Sequence, residues 1–160
     1  MKIRLAKRAF FLASLTLCLV APLAAEPMAG EHIGVGILLG FPSSGISAKL
    51  PMDPEHSLNG MLGYDINANH GNLYTRWEYV WHNYSLIRVE KGRLPLYYGP
   101  GIHASAFPDH AAVGVHGVVG LEYQFPNDPL DAFFEIAPGI NVLPSTNAAV
   151  SAGLGMRFFF

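Results

Sequence analysis

Charged residues are scarce in this 160-residue chain: Asp, Glu, Lys and Arg make up 14% of it, against 51% hydrophobic residues. A soluble domain ordinarily carries about 25% charge, so the deficit points away from a surface built for water. No run of Lys and Arg forms a patch in the body of the chain, which speaks against a nucleic-acid-binding surface. Cysteine occurs once, at Cys18. That excludes a disulfide framework, and beyond Cys18 it excludes thiol nucleophiles and thiolate metal ligands. After residue 25 no stretch approaches the ~18 apolar residues of a helical membrane span. So apolar a chain is not a disordered one, and its length suits a single domain.

What is present begins with an address. Lys2, Arg4, Lys7 and Arg8 precede an apolar run from Ala9 to Val20, and Pro22-Leu23-Ala24-Ala25 comes next. This is the layout of a secretory signal peptide, with cleavage expected after Ala25. An uncleaved anchor helix fits less well, because the apolar run is short. A lipid-modified Cys18 also fits less well, because Leu17 stands where a small residue is wanted. Four of the 10 basic residues lie in this segment, while all 12 acidic ones lie beyond it. The mature chain, residues 26–160, thus carries a net charge of about −6, which suits neither DNA nor an anionic lipid surface.

That mature chain alternates. Apolar and polar or small residues exchange at period 2, the signature of strands with two different faces. Eight strands are expected between turn signals, over about 31–40, 46–50, 57–66, 73–81, 94–104, 112–125, 130–142 and 148–160. The fourth can continue, through a bulge at His82-Asn83, to Val89, with a hairpin turn at Glu90-Lys91-Gly92-Arg93. Pro95 and Pro100 sit awkwardly in the fifth, because proline cannot donate to a ladder. In the sixth, Val113, Val115, Val119, Leu121, Tyr123 and Phe125 oppose Gly114, His116, Gly120, Glu122 and Gln124. In the eighth, Leu154, Met156, Phe158 and Phe160 oppose Gly153, Gly155 and Arg157.

Eight strands, most near the ~9–11 residues that cross a bilayer at a tilt, predict an all-β, antiparallel, up-and-down transmembrane barrel. Closure is required, because each unpaired peptide group at a sheet edge in hydrocarbon costs several kcal/mol. A soluble eight-stranded barrel would invert the faces and carry more charge. Trp81, Tyr123, Phe125, Phe134, Phe158 and Phe160 are expected to gather at one membrane interface as an aromatic girdle. The terminal pattern ending on Phe160 is expected to engage the barrel-assembly machinery.

The stretches Val89-Glu90-Lys91-Gly92-Arg93-Leu94-Pro95-Leu96-Tyr97-Tyr98-Gly99 and Pro129-Leu130-Asp131-Ala132-Phe133-Phe134-Glu135-Ile136-Ala137-Pro138 carry a resemblance. From about Leu73 onward the chain resembles a family of small bacterial outer-membrane barrels, related in architecture to the OmpA transmembrane domain. The resemblance implies an eight-stranded barrel in the outer membrane of a Gram-negative-type bacterium. It implies no catalytic residue.

An eight-stranded barrel is just wide enough for side chains to fill. Lys49, Asp65, Arg76, Glu78, Glu122, Glu135 and Arg157 fall on the expected inward face, three cations against four anions. Buried charges persist when paired, and the expected pairs are Arg76 with Glu122 and Arg157 with Glu135. The inward glycines leave room for a narrow water path, so a porin-like conduit stands as the alternative to a structural plug. No cofactor is expected. Of the seven histidines, His103, His110 and His116 cluster near the outer rim as a candidate metal site, without H-x-x-x-H or H-x-x-E-H spacing. His103-Ala104-Ser105 has an H-x-S arrangement similar to that of lipid A deacylases, a lipid-modifying alternative, with Asp109 or Glu122 as the orienting carboxylate. A hydrolase pairing Glu122 with Glu135 is weaker, because both carboxylates answer arginines. The leading expectation is a monomeric, non-enzymatic envelope component. Its outer loops are compact (41–45, 67–72, 105–111 and 143–147), and its partners are outer-membrane lipid and lipopolysaccharide, the latter through Phe107-Pro108-Asp109-His110.

Overall fold

A computed structural model describes residues 32–65, 72–106 and 111–160. The expected signal segment 1–25 with Cys18, most of the loop after Ile66, and Phe107-Pro108-Asp109-His110 lie outside the described residues. Among the described residues the strands are β1 (Gly34–Phe41), β2 (Ser44–Pro51), β3 (His56–Asp65), β4 (Asn72–Asn83), β5 (Leu96–Ala106), β6 (Ala111–Gln124), β7 (Leu130–Leu143) and β8 (Asn147–Phe159). Each pairs antiparallel with the next, and β8 closes on β1 over Gly34↔Phe159 to Phe41↔Ala152. The order is up-and-down throughout. His32 Nδ1 lies 2.6 Å from the Phe160 carbonyl oxygen, and the Phe160 N–H donates to the Ile33 carbonyl, so the seam is fastened at its lower edge. The lower end of the barrel is the one with the β2–β3, β4–β5 and β6–β7 connections; the other four connections define the upper end.

Alternation sets the two surfaces. Ile37 and Leu154 are each 60% exposed on the outer wall, and Val115 and Ile136 face the same way. Lys49, Arg76, Glu78, Glu122, Asp131, Glu135 and Arg157 are all buried inside. Leu38, Met61, Tyr74, Val80, Tyr97, Val118 and Phe133 share the interior with them. This is the reverse of a water-soluble barrel, in which Val115, Ile136 and Leu154 would pack together and the charges would face water.

Several inward glycines are covered by side chains. A Cβ on Gly120 would lie 2.5 Å from Cζ of Tyr97, and one on Gly153 would lie 2.8 Å from Cδ2 of Leu38. Gly155 is covered by the Phe133 ring, Gly114 by His103 and Gly101 by His116. Small residues on one strand are the sockets for large inward side chains on the next, so the space beside these five glycines is occupied.

One connection departs from expectation. β4 stops at Asn83 instead of running to Val89, and residues 84–95 link it to β5. Asn83 Oδ1 accepts from both the backbone N–H and the hydroxyl of Ser85, at 3.0 and 2.8 Å, an Asx turn that diverts the chain. The segment then returns along β6: Arg93 and Gln124 exchange backbone hydrogen bonds, and the Tyr123 hydroxyl donates to the Lys91 carbonyl. Gly92 takes φ = +72°, a left-handed conformation that glycine adopts without a Cβ clash. Pro95 falls just before β5. Pro100 falls inside it, where the β4–β5 ladder skips Tyr79-Val80 against Gly99-Pro100.

Candidate functional site

The barrel interior holds two polar assemblies. The lower one centres on Glu122 of β6, which is fully buried. Lys49 of β2 reaches its Oε1 at 2.5 Å, and Arg157 of β8 reaches its Oε2 at 2.7 Å. Arg157 also holds Asp131 of β7, its direct cross-strand partner, through Nε at 3.1 Å and Nη2 at 2.9 Å. Gln124 donates to Glu122 Oε1 at 2.8 Å. The Lys49 side-chain nitrogen lies 3.1 Å from Nε2 of His82 on β4, and that Nε2 lies 3.8 Å from Glu122 Oε2. The Phe133 ring packs against Arg157, with the guanidinium carbon 4.1 Å from the ring centre. Two cations and two anions from four strands therefore cancel and span the lumen. Such a network keeps buried charge only because nearly every donor and acceptor has a partner.

The upper assembly begins with Arg76 of β4. It pairs with Glu135 of β7, lies 3.3 Å from Glu78 of its own strand, and donates to the Ser151 hydroxyl at 3.1 Å. The Tyr97 hydroxyl donates to Glu135 Oε2 at 2.5 Å. Glu78 Oε1 lies 3.0 Å from Nε2 of His116. His116 Nδ1 faces Nδ1 of His103 at 3.2 Å, and His103 Nε2 lies 2.8 Å from Asn141 Oδ1. Above this chain a cavity of about 200 Å³ is lined by Asn72, Tyr74, His103, Ser105, His116 and Ser151, among others.

The expected pairing is corrected. Arg76 meets Glu135, not Glu122, and Arg157 meets Glu122, not Glu135. The reason is the stagger of the strands: Gly120, not Glu122, stands opposite Glu135, so Glu122 sits two residues lower and level with the bottom of β8. Asp65 stands at the upper end of β3 opposite Asn72. Asp131, His82 and Tyr97 are legible as inward by alternation, and their place in the network comes from the stagger. His103 and His116 are brought together; His110 lies outside the described residues. His103 gives its ring nitrogens to His116 and Asn141 rather than to Ser105, and Glu122 is at the other end of the lumen, so no nucleophile–base–acid relay forms among the described residues. Glu122 and Glu135 are each held by an arginine.

On the outer wall Trp81, Tyr123, Phe125, Phe134, Phe158 and Phe160 stand in the lower half or at its edge. Tyr123 and Phe125 meet edge-on at 4.9 Å, as do Phe158 and Phe160, and Trp81 stacks on Tyr98 at 6.1 Å. In the lower connections, the Asp53 carboxylate accepts the backbone N–H groups of Glu55 and His56, each at 2.8 Å. These bonds, the one from Glu55 foremost, hold its pKa below the ordinary value. Burial pushes the Tyr84 hydroxyl upward.

No protein-family model matches the sequence, and no curated protein matches it. Among solved structures the chain is similar to the N-terminal β-barrel domain of Pseudomonas aeruginosa OprF. The TM-score is 0.61 at 16% identity, covering 81% of this chain and 96% of that one. At that identity the likeness speaks for the fold alone, a closed eight-stranded antiparallel barrel.

Proposed function

We propose that this chain is a monomeric bacterial outer-membrane barrel with a structural role in the envelope. Its wall contacts outer-membrane lipid and, on the outer leaflet, lipopolysaccharide. The observation that carries this reading is the sorting of charge. Every Lys, Arg, Asp and Glu whose side chain is described within a strand points into the barrel, and among the described side chains the outer wall between the turns is uncharged. A cation on a lipid-facing wall costs about 2–4 kcal/mol at the bilayer midplane, whereas a barrel in water has no reason to avoid one.

The interior supports a plug rather than a conduit. Lys49, Glu122, Arg157 and Asp131 join β2, β6, β8 and β7 across the lower lumen, and Tyr97 and Phe133 fill the level above. Ions would have to displace paired charges to pass. Planar-bilayer recording tests this: the wild-type barrel is expected to give no discrete conductance, and steps of reproducible size would overturn the plug. Heat-modifiable migration on gels and β-rich circular dichroism in detergent are expected. A chain that stays folded and monomeric without detergent would overturn the membrane reading itself.

A further inference from the structure

The histidine pair in the upper lumen has a proton problem. Nε2 of His116 faces the Glu78 carboxylate, which only accepts, so that nitrogen carries its hydrogen. Nε2 of His103 faces Asn141 Oδ1, also an acceptor, so it carries one too. The two Nδ1 atoms face each other at 3.2 Å, within reach of one shared hydrogen or of one ion between the rings. With both Nε2 atoms donating, what joins the two Nδ1 atoms carries a positive charge: a third proton held as N–H···N, or a metal ion in its place.

The surrounding charge points the same way. The lower assembly is balanced, Lys49 and Arg157 against Glu122 and Asp131. The described side chains of the upper one comprise a single cation, Arg76, and two carboxylates, Glu78 and Glu135. Among the described side chains this leaves room beside the histidines for one more positive charge, a proton or a metal ion. Both rings are oriented in the way metal-ligating histidines usually are, each donating its remote N–H to an oxygen. With metal–nitrogen bonds of about 2.0–2.1 Å, a separation of 3.2 Å corresponds to a ligand–metal–ligand angle of about 100°. That angle suits adjacent ligands of a tetrahedral or tetragonal ion and excludes a linear one. The cavity above the pair has room for several waters at ~30 Å³ each to complete the coordination.

We propose that Nδ1 of His103 and Nδ1 of His116 bind one divalent transition-metal ion of the imidazole-preferring class, Cu²⁺ or Zn²⁺, with Glu78 and Asn141 as orienting residues. The site does not depend on whether the lumen conducts. The test uses the untagged full chain, folded in detergent and stripped with a chelator, titrated with Cu²⁺ under electron paramagnetic resonance. One copper per barrel is expected, with hyperfine structure from two nitrogens. His103→Ala and His116→Ala are each expected to abolish this signal, Asn141→Ala to weaken binding about tenfold, and His56→Ala, in the lower turn, to leave it unchanged. If the alanine variants lose heat-modifiable migration, the two-nitrogen spectrum of the wild type decides alone. A wild-type spectrum without two nitrogens would overturn the proposal. An Asn141 side chain that turned its amide N–H onto His103, closing a neutral hydrogen-bonded chain, would produce that spectrum. Equal binding by a folded double variant would overturn the proposal as well.

Discussion

The lower and upper halves of the lumen are built from the same strands and solve opposite problems. Below, charges cancel pairwise across the barrel, and the long side chains of Lys49, Arg157 and Glu122 meet with almost nothing left over. Above, shorter side chains line a cavity, and among the described side chains the carboxylates outnumber the arginine by one. The first arrangement ties four strands together across the lumen; the second sets, among the described side chains, two carboxylates against one arginine. In the reading proposed above, charge pairing is a structural device at one end and a binding device at the other.

The largest expected effect that separates the halves is at Glu122. Glu122→Gln leaves Lys49 and Arg157 buried with too little negative charge, and about 3–5 kcal/mol of stability should be lost in urea unfolding from detergent micelles. Glu78→Gln, which removes the surplus anion above, should change stability by less than about 1 kcal/mol. Equal losses in the two variants would erase the distinction. Next comes the floor between the halves. Tyr97→Phe deletes a donor to the Glu135 carboxylate and should cost about 1.5–3 kcal/mol, read as a lower unfolding midpoint with an unchanged slope. Gly120→Ala crowds the same ring and should cost about 1–3 kcal/mol through overpacking. If that variant is neutral, the lumen is looser than its packing implies.

The smallest effect lies outside both halves, in the lower turn. The pKa of Asp53 is depressed by the backbone N–H groups it accepts. A depressed carboxylate contributes stability above its unfolded pKa, and that contribution is lost as pH falls through the folded value. Asp53→Asn should therefore lower the unfolding midpoint slightly at neutral pH and leave it unchanged in strong acid, below both values. A constant difference across that range would show that the ionisation of Asp53 contributes nothing to the turn.

Strand number, the outward wall and the inward charges are all legible from alternation, because a pleated strand assigns neighbouring side chains to opposite faces regardless of what it pairs with. Lys49, Arg76, Glu122 and Arg157 can be placed inside on that ground. The end of β4 cannot, because the side-chain oxygen of Asn83 competes with the ladder for Ser85, and that competition leaves no mark on hydrophobic period. The glycines mislead for a related reason: a gap on one strand is visible in sequence, but the Tyr97 or Phe133 that fills it belongs to another strand.

Which face each residue occupies is a local property of the backbone, and one chain's order of residues is enough to settle it. Which partner a side chain finds across the lumen is set by the stagger of eight strands around a closed cylinder, a property no single strand possesses. Arg76 meets Glu135 and Arg157 meets Glu122 and Asp131 for that reason, and His103 comes within 3.2 Å of His116 for the same one.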